Sequence, residues 1–216
     1  MRSFKTRRDQ ARVLNRVIDR ALLQPAAQHR DELLAQAQQR DTQQLAERVR
    51  QRATRLGRHE PGRTQQLLTR RDELIMALYA DLAPRGWANA WCDGSSSRQA
   101  SELHAGIGAV VLDASGTCIS ETGRHVSGKT AFEAELMALT VVLEIALAHD
   151  IERLRVHTDS KALVQLWQQH RDDPRLAPVR ALGPRFKGLH IHAIPRLHNQ
   201  VANALAKQAR SDKFAS

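Results

Sequence analysis

The sequence predicts an α/β domain built on a mixed five-stranded sheet, in the order β-β-β-α-β-α-β-α, preceded by a small all-α module. Three observations carry this. The first 82 residues are rich in Arg, Gln, Ala and Leu with almost no β-branched runs, a composition that favours helix. Beyond them the texture changes to short strand-like segments that alternate with amphipathic stretches. The charge divides in the same place: residues 1–86 hold 18 Lys+Arg and 10 Asp+Glu, a net +8, leaving 33 − 18 = 15 against 23 − 10 = 13, or +2, for the remainder.

Along the helical module three segments show helical spacing of apolar residues. Leu14, Val17, Ile18, Ala21 and Leu22 make one face, Leu34, Leu45, Val49, Ala53 and Leu56 a sparser second, and Leu67, Leu68, Leu74, Ile75 and Leu78 a third. Pro25 and Pro61 punctuate them, so a helical hairpin or three-helix bundle is expected over residues 1–82. Residues 83–87, with "APRG", read as a linker, residues 88–210 as the α/β domain and residues 211–216 as a tail.

In that domain "WANAWCDGS", "AGIGAVVLDASG" and "TCISETGRHV" read as an antiparallel meander, with Asp113 to Gly116 supplying a turn. Leu136, Leu139, Val142, Leu143, Ala146 and Leu147 then give a long amphipathic helix from Thr130 to about His149. A strand "LRVHTD", a helix "SKALVQLWQQH", a polar Pro-containing connection, a strand "GLHIHAIP" and a helix "QVANALAKQAR" follow.

The overall charge of +10 points to polyanionic partners, nucleic acid before acidic membrane. Cys92 and Cys118 have no metal-finger spacing, which argues against a disulfide framework or a structural zinc site and fits a reducing compartment. The longest apolar stretch, "ALTVVLEIALA", is broken by Glu144 and too short to span a bilayer, and no apolar signal core opens the chain. A soluble, cytoplasmic protein with no membrane partner is expected.

"GRHVSGKT", Gly123 to Thr130, fits the phosphate-loop pattern G-x-x-x-x-G-K-[ST]. Such a loop needs a buried parallel strand before it, whereas "TCISET" is half polar and sits third in a meander. Gly123 and Gly128 are read instead as letting a strand bend into a helix, with Thr130 as N-cap and Glu133 completing a capping box.

Three acids break their local patterns: Asp93 ends the first strand, Glu135 lies in the second turn of the long helix, and Asp159 ends the fourth strand. Singly, each has a plain structural reading: Asp-Gly is a turn dipeptide, Asp159 before Ser160 is a helix cap, and Glu135 is a solvated helix residue. Jointly, the strand and helix order brings them to the edge where parallel strands end, the usual place for a site. Carboxylates meeting there repel one another unless cations are bound, as in hard-cation sites.

"CDGS…AGIGAVVLD", "TAFEAELMAL", "HTDSKALV" and "IPRLHNQVANALAKQA", four modest motifs in order over residues 88–210, together resemble type 1 ribonuclease H in its compact form without a basic protrusion. The resemblance implies a ribonuclease H-like sheet and cleavage of the RNA strand of RNA–DNA hybrids with Mg2+, or Mn2+, on a carboxylate cluster. Carried over, Asp93, Glu135 and Asp159 are metal ligands; Gly94, Ser95, Ser96, Thr130 and Asn199 approach the nucleic acid; His198, just before the last helix, is a mobile general acid or product-release group. Two departures stand out. Asn203 occupies the place of the family's fourth acid, which removes one negative charge, and Ala131 and Phe132 replace a pair of asparagines. A catalytically impaired nucleic-acid-binding module of the same fold is therefore the alternative to a nuclease. His190 and His192 share one face of a strand as surface or packed residues, and Trp87, Trp91 and Trp167 read as core. The arginine-rich N-terminal helices are read either as phosphate contacts, adding affinity through counterion release, or as solvated faces, with a role in binding a protein partner also open.

Overall fold

A computed structural model of the chain describes residues 7–99, 102–169 and 172–211. The ends of the expected N-terminal module and of the tail, residues 1–6 and 212–216, lie outside the described residues. The chain divides into two compact units, Met1–Leu82 and Ala83–Ser216.

Among the described residues the first unit holds four α-helices where a hairpin or three-helix bundle was expected: α1 (Arg7–Leu23), α2 (Ala27–Ala37), α3 (Thr42–His59) and α4 (Thr64–Asp81). The sparse middle segment is two helices because Asp41 starts a new one, its side chain accepting the Gln44 N–H at 2.7 Å. Leu14, Val17, Ile18, Ala21 and Leu22 of α1 are buried, together with Leu33 of α2, Leu45 and Val49 of α3, and Leu74, Ile75 and Leu78 of α4.

The second unit contains β1 (Ala88–Gln99), β2 (Glu102–Leu112), β3 (Cys118–Ser127), α5 (Ala131–Ala148), β4 (Arg153–Thr158), α6 (Lys161–Gln169), α7 (Ala177–Leu182), β5 (Gly188–Ala193) and α8 (Gln200–Ser211). The sheet order is β3-β2-β1-β4-β5, with β1–β2 and β2–β3 antiparallel and β1–β4 and β4–β5 parallel. This is the mixed five-stranded, ribonuclease H-like sheet that the sequence predicts. The expected polar connection holds α7, whose second residue is Pro178, a residue suited to a first helical turn. Strand β1 also outruns its expected end: Asp93 and Gly94 make no turn but pair with Gly108 and Ile107 of β2 in mid-strand.

Alternation along the strands sends Ala88, Ala90 and Cys92 of β1 and Ala105, Ile107, Ala109 and Val111 of β2 to one face. There they pack with Ala134, Ala138, Leu139 and Val142 of α5 and with Leu163 and Val164 of α6. Helix α8 lies on the other face, over β2, β1 and β3. It sits backbone-close because β2 offers glycines: a methyl group on Gly106 or Gly108 would lie 2.1 Å from the carbonyl of Ala206 or Ala202.

The phosphate-loop pattern is broken by this architecture, since Gly123 lies within edge strand β3 under the carbonyl of Leu205 and does not bend the chain. Gly128 does turn it, with φ +67. Thr130 and Glu133 form the expected capping box. Both cysteines are free, and among the described residues no helix is long and apolar enough to cross a membrane.

Candidate metal centre

The parallel pairing of β1 with β4 ends at Trp91 and His157. Two residues farther along the same chains are Asp93 and Asp159, so the two aspartates stand side by side where parallel order ceases, the edge at which open α/β sheets carry their sites. Glu135 reaches them from α5 because that helix rests directly on β1. A methyl group on Gly94 would lie 2.2 Å from the Glu135 nitrogen, and the Gly94 N–H works to lower the pKa of the Glu135 carboxyl. One ligand atom from each of Asp93, Glu135 and Asp159 lies within 4.8 Å of the others.

The cluster is short of positive charge. Asp93 is 1% exposed, and neither of its oxygens receives a hydrogen bond from an N–H or O–H of the described residues; the same holds for Glu135 Oε2. Burial, followed by the neighbouring Asp159 carboxylate, pushes Asp93 up to about 7. Burial, then Asp93 and Asp159, push Glu135 up to about 8. Arg196 and Lys207 pull Asp93 the other way, and Arg196 Nη1 stands 3.6 Å from Asp159 Oδ2 with its own side chain 62% exposed. Neither cation figures among the residues that the sequence singles out. The legible signal for Lys207 is its place one helical turn after Asn203.

Asn203 is buried on α8 just after Ala202, whose carbonyl covers Gly108, the β2 partner of Asp93. Its Oδ1 is buried with no hydrogen-bond donor among the described residues. Asn199, expected to contact nucleic acid, is buried and differently engaged: its Nδ2 donates to Cys92 O at 2.9 Å and to Asp159 Oδ1 at 2.7 Å. It orients a carboxylate rather than facing outward.

Other expected contacts are also placed by packing. Gly94 serves the approach of α5, and Ser95 Oγ and Ser96 O are both held by Arg210 Nη1, at 2.8 and 3.4 Å. The Thr130 hydroxyl is used in its cap. Phe132, at one of the two changed asparagine positions, is covered by the Arg175 guanidinium 5.2 Å from its ring centroid. His198 lies in a 3-10 turn, Arg196–His198, with its side chain buried and its backbone N–H donating to Pro195 O, outside the group of three carboxylates.

The donor set fits hard divalent cations, with clustered carboxylates, an amide oxygen nearby, and buried oxygens that lack donors.

A family model described as reverse transcriptase-like matches residues 92–209, which is 118 of 216 positions. The chain belongs to the reverse transcriptase-like family. Among solved structures, the chain is similar to ribonuclease H1 of the halophilic archaeon Halobacterium salinarum NRC-1, at 28% identity and a TM-score of 0.53, covering 59% of this chain and 99% of that one. The N-terminal ribonuclease H domain of a Mycobacterium tuberculosis protein is 25% identical, with a TM-score of 0.53 over 61% and 99%. LC11 ribonuclease H1, crystallised in complex with an RNA/DNA hybrid, is 25% identical, with a TM-score of 0.50 over 60% and 99%. No curated protein sequence matches the chain.

Proposed function

We propose that the second unit is a metal-dependent endonuclease that hydrolyses the RNA strand of RNA–DNA hybrids. The observation that carries this is the convergence of Asp93, Glu135 and Asp159 within 4.8 Å, from a strand, a helix and a strand end far apart in sequence. The relation to ribonuclease H1 structures, one of them bound to a hybrid, supports the choice of substrate.

Asp93, Glu135 and Asp159 would hold Mg2+, or Mn2+, with Asn203 offering a neutral oxygen as fourth ligand. When bound, two such ions activate water and stabilise the leaving oxygen of an in-line displacement. The chain's own residues fix the geometry. Asn199 holds Asp159, Gly94 without a side chain lets α5 bring Glu135 against β1, and α8 seats Asn203 on the glycines of β2. Arg196 and Lys207 offer positive charge to a phosphate beside the carboxylates. Recognition through backbone shape and 2′-hydroxyls implies little base preference. In this reading residues 1–82 are a basic helical extension, 83–87 a linker, 88–210 the nuclease domain and 211–216 a tail. Exposed Arg12, Arg16, Arg55 and Arg58 of the extension, which make no ion pair among the described residues, contact phosphates.

Asn203 favours a second reading, a nucleic-acid-binding module without turnover. A missing unit charge at about 4 Å is worth at most about 4 kcal/mol at an effective dielectric near 20, and less in a wet site, so weakened metal binding is expected before complete loss. Hybrid cleavage by the wild type and by Asn203→Asp, each with Mg2+ and with Mn2+, separates the two. Turnover by the wild type, increased by Asn203→Asp, supports the nuclease. A wild type that binds hybrid yet leaves it uncut in both metals supports the binding module.

A further inference from the structure

Helix α8 covers the β1–β3 half of its face of the sheet and leaves the outer side of β4 and β5 to other residues. Register fixes which these are. Asn89, Arg155 and His190 form one row across β1, β4 and β5, and Trp91, His157 and His192 form the next. The row after that begins with the aspartates of the metal centre, so this surface runs continuously into it.

The imidazoles are packed in a chain. Trp87 and His190 have centroids 4.7 Å apart, His190 and His192 5.8 Å, His192 and His157 6.4 Å, and His157 and Trp91 4.8 Å. His157 and Trp91 are buried, whereas His190 and His192 are exposed. Arg155 lies among them, half-buried, with Nε buried and accepted by nothing, and it makes no ion pair with a carboxylate of the described residues. Burial holds its guanidinium below the usual range. Burial, then Arg155 and His190, likewise hold His192 below the usual imidazole range, so the local field is positive with no acid to balance it. A guanidinium kept partly out of water without a counter-charge is unfavourable, and its planar fork suits a phosphate.

We propose that Arg155, flanked by His190 and His192, is a phosphate-binding site that holds the backbone of a nucleic-acid strand whose scissile bond lies at the metal centre. Arg155 is four residues from Asp159, about 13 Å along a strand rising about 3.3 Å per residue, a separation of several nucleotides. The site deepens the nuclease reading and rests on it for the identity of the strand. A transition metal on the three histidines is the competing occupant. Arg155 opposes a cation there, and among the described residues the histidines form no group with ligand atoms within metal reach.

Two measurements test the site. In the first, hybrid binding without divalent metal is followed over a series of salt concentrations for the full chain and for Arg155→Gln. The variant is expected to bind roughly tenfold more weakly, with the slope of log K against log salt reduced by about one, whatever the sequence of the hybrid. His192→Gln gives a smaller loss in the same direction. Unchanged affinity and slope in Arg155→Gln overturn the site, even if the wild type cleaves hybrid. An Arg155-dependent slope in a protein that never cleaves leaves the site standing and removes the nuclease. In the second, the wild-type imidazole resonances of His190 and His192 are followed on adding inorganic phosphate, which is expected to move them in the wild type and not in Arg155→Gln. Resonances that ignore phosphate but respond to zinc overturn the proposal in favour of a metal site, whether or not hybrid binds.

Discussion

In the helical unit Arg52 closes on Asp19, Arg50 on Glu47, Arg70 on Glu73 and Arg71 on Asp72, so that acids and arginines are matched locally. In the sheet unit the acids that matter are matched with one another. Asp93 and Glu135 are held against Asp159, and among the described residues only exposed Arg196 is in ion-pair range of the three. Charges of the first kind help to hold the unit that carries them. Charges of the second kind cost that unit stability and are available to something that binds. The basic total of the chain therefore says less about function than the few acids left without donors.

The largest expected effect comes from removing one of those acids. Asp93→Asn should lower hybrid cleavage by about a thousandfold or more, since several kcal/mol of charge stabilisation is lost with the metal site. The same substitution should leave the metal-free protein more stable at pH 8, because it removes a buried like charge. A single-turnover cleavage assay paired with a denaturant titration reads both. Loss of stability without loss of cleavage would show that Asp93 is matched after all.

Next is the pH dependence of the metal-free protein. Asp93 at about 7 and Glu135 at about 8 bind protons in the folded state that they release when unfolded, where ordinary carboxylates titrate near 4. The folded state thus holds more protons between about pH 4 and 8, and stability falls with rising pH across that window. The stabilisation is complete below pH 4 and is lost as pH passes the folded values, by a few kcal/mol for the coupled pair at about 1.36 kcal/mol per unit. Mg2+ at 100 times its dissociation constant should restore about 2.7 kcal/mol at pH 8. Unfolding in chelator that is flat from pH 5 to 8 would contradict the buried, unmatched character of the cluster.

A smaller effect comes from the seat of α8. Gly108→Ala puts a methyl group against the Ala202 carbonyl and should cost about 1–3 kcal/mol as the helix is pushed away, weakening Mg2+ binding because Asn203 rides on that turn. Calorimetric unfolding and metal titration would show the two losses together. A thermal loss alone would mean that Asn203 contributes no ligand.

The sheet order and the acids were legible because periodicity and residue type are local signals. Strand alternation, the capping box at Thr130 and the apolar faces of α1 and α5 all lie within single segments. What escaped reading depends on pieces that meet only in the fold. Asp93-Gly94 looks like a turn until α5 is known to need a residue without a side chain beneath it. Asn199 looks like a surface polar group until Cys92 O and Asp159 are beside it. The break at Asp41 is the exception: "DTQQ" carries its cap signal within a single segment. Arg155, in a strand that reads as ordinary, becomes notable only once no acid is found across from it.

The smallest effect tests the matched side of the comparison. Arg52 reaches from α3 to Asp19 of α1, with side chains 18% and 25% exposed, and neighbouring Arg48 bonds Asn15 at 3.0 Å. A partly buried pair of this kind is worth on the order of 1 kcal/mol, which in a helical unit of this size corresponds to roughly 4–8 °C in the melting temperature. Arg52→Ala and Asp19→Ala should each produce about that loss, and the double substitution should cost less than the sum, as expected of partners. Because the charges are settled inside the helical unit, none of the three variants should alter Mg2+ affinity or the pH dependence of the sheet unit. A shift in either, with the helices still folded by circular dichroism, would mean that the arginines of the extension and the acids of the metal centre belong to one electrostatic system.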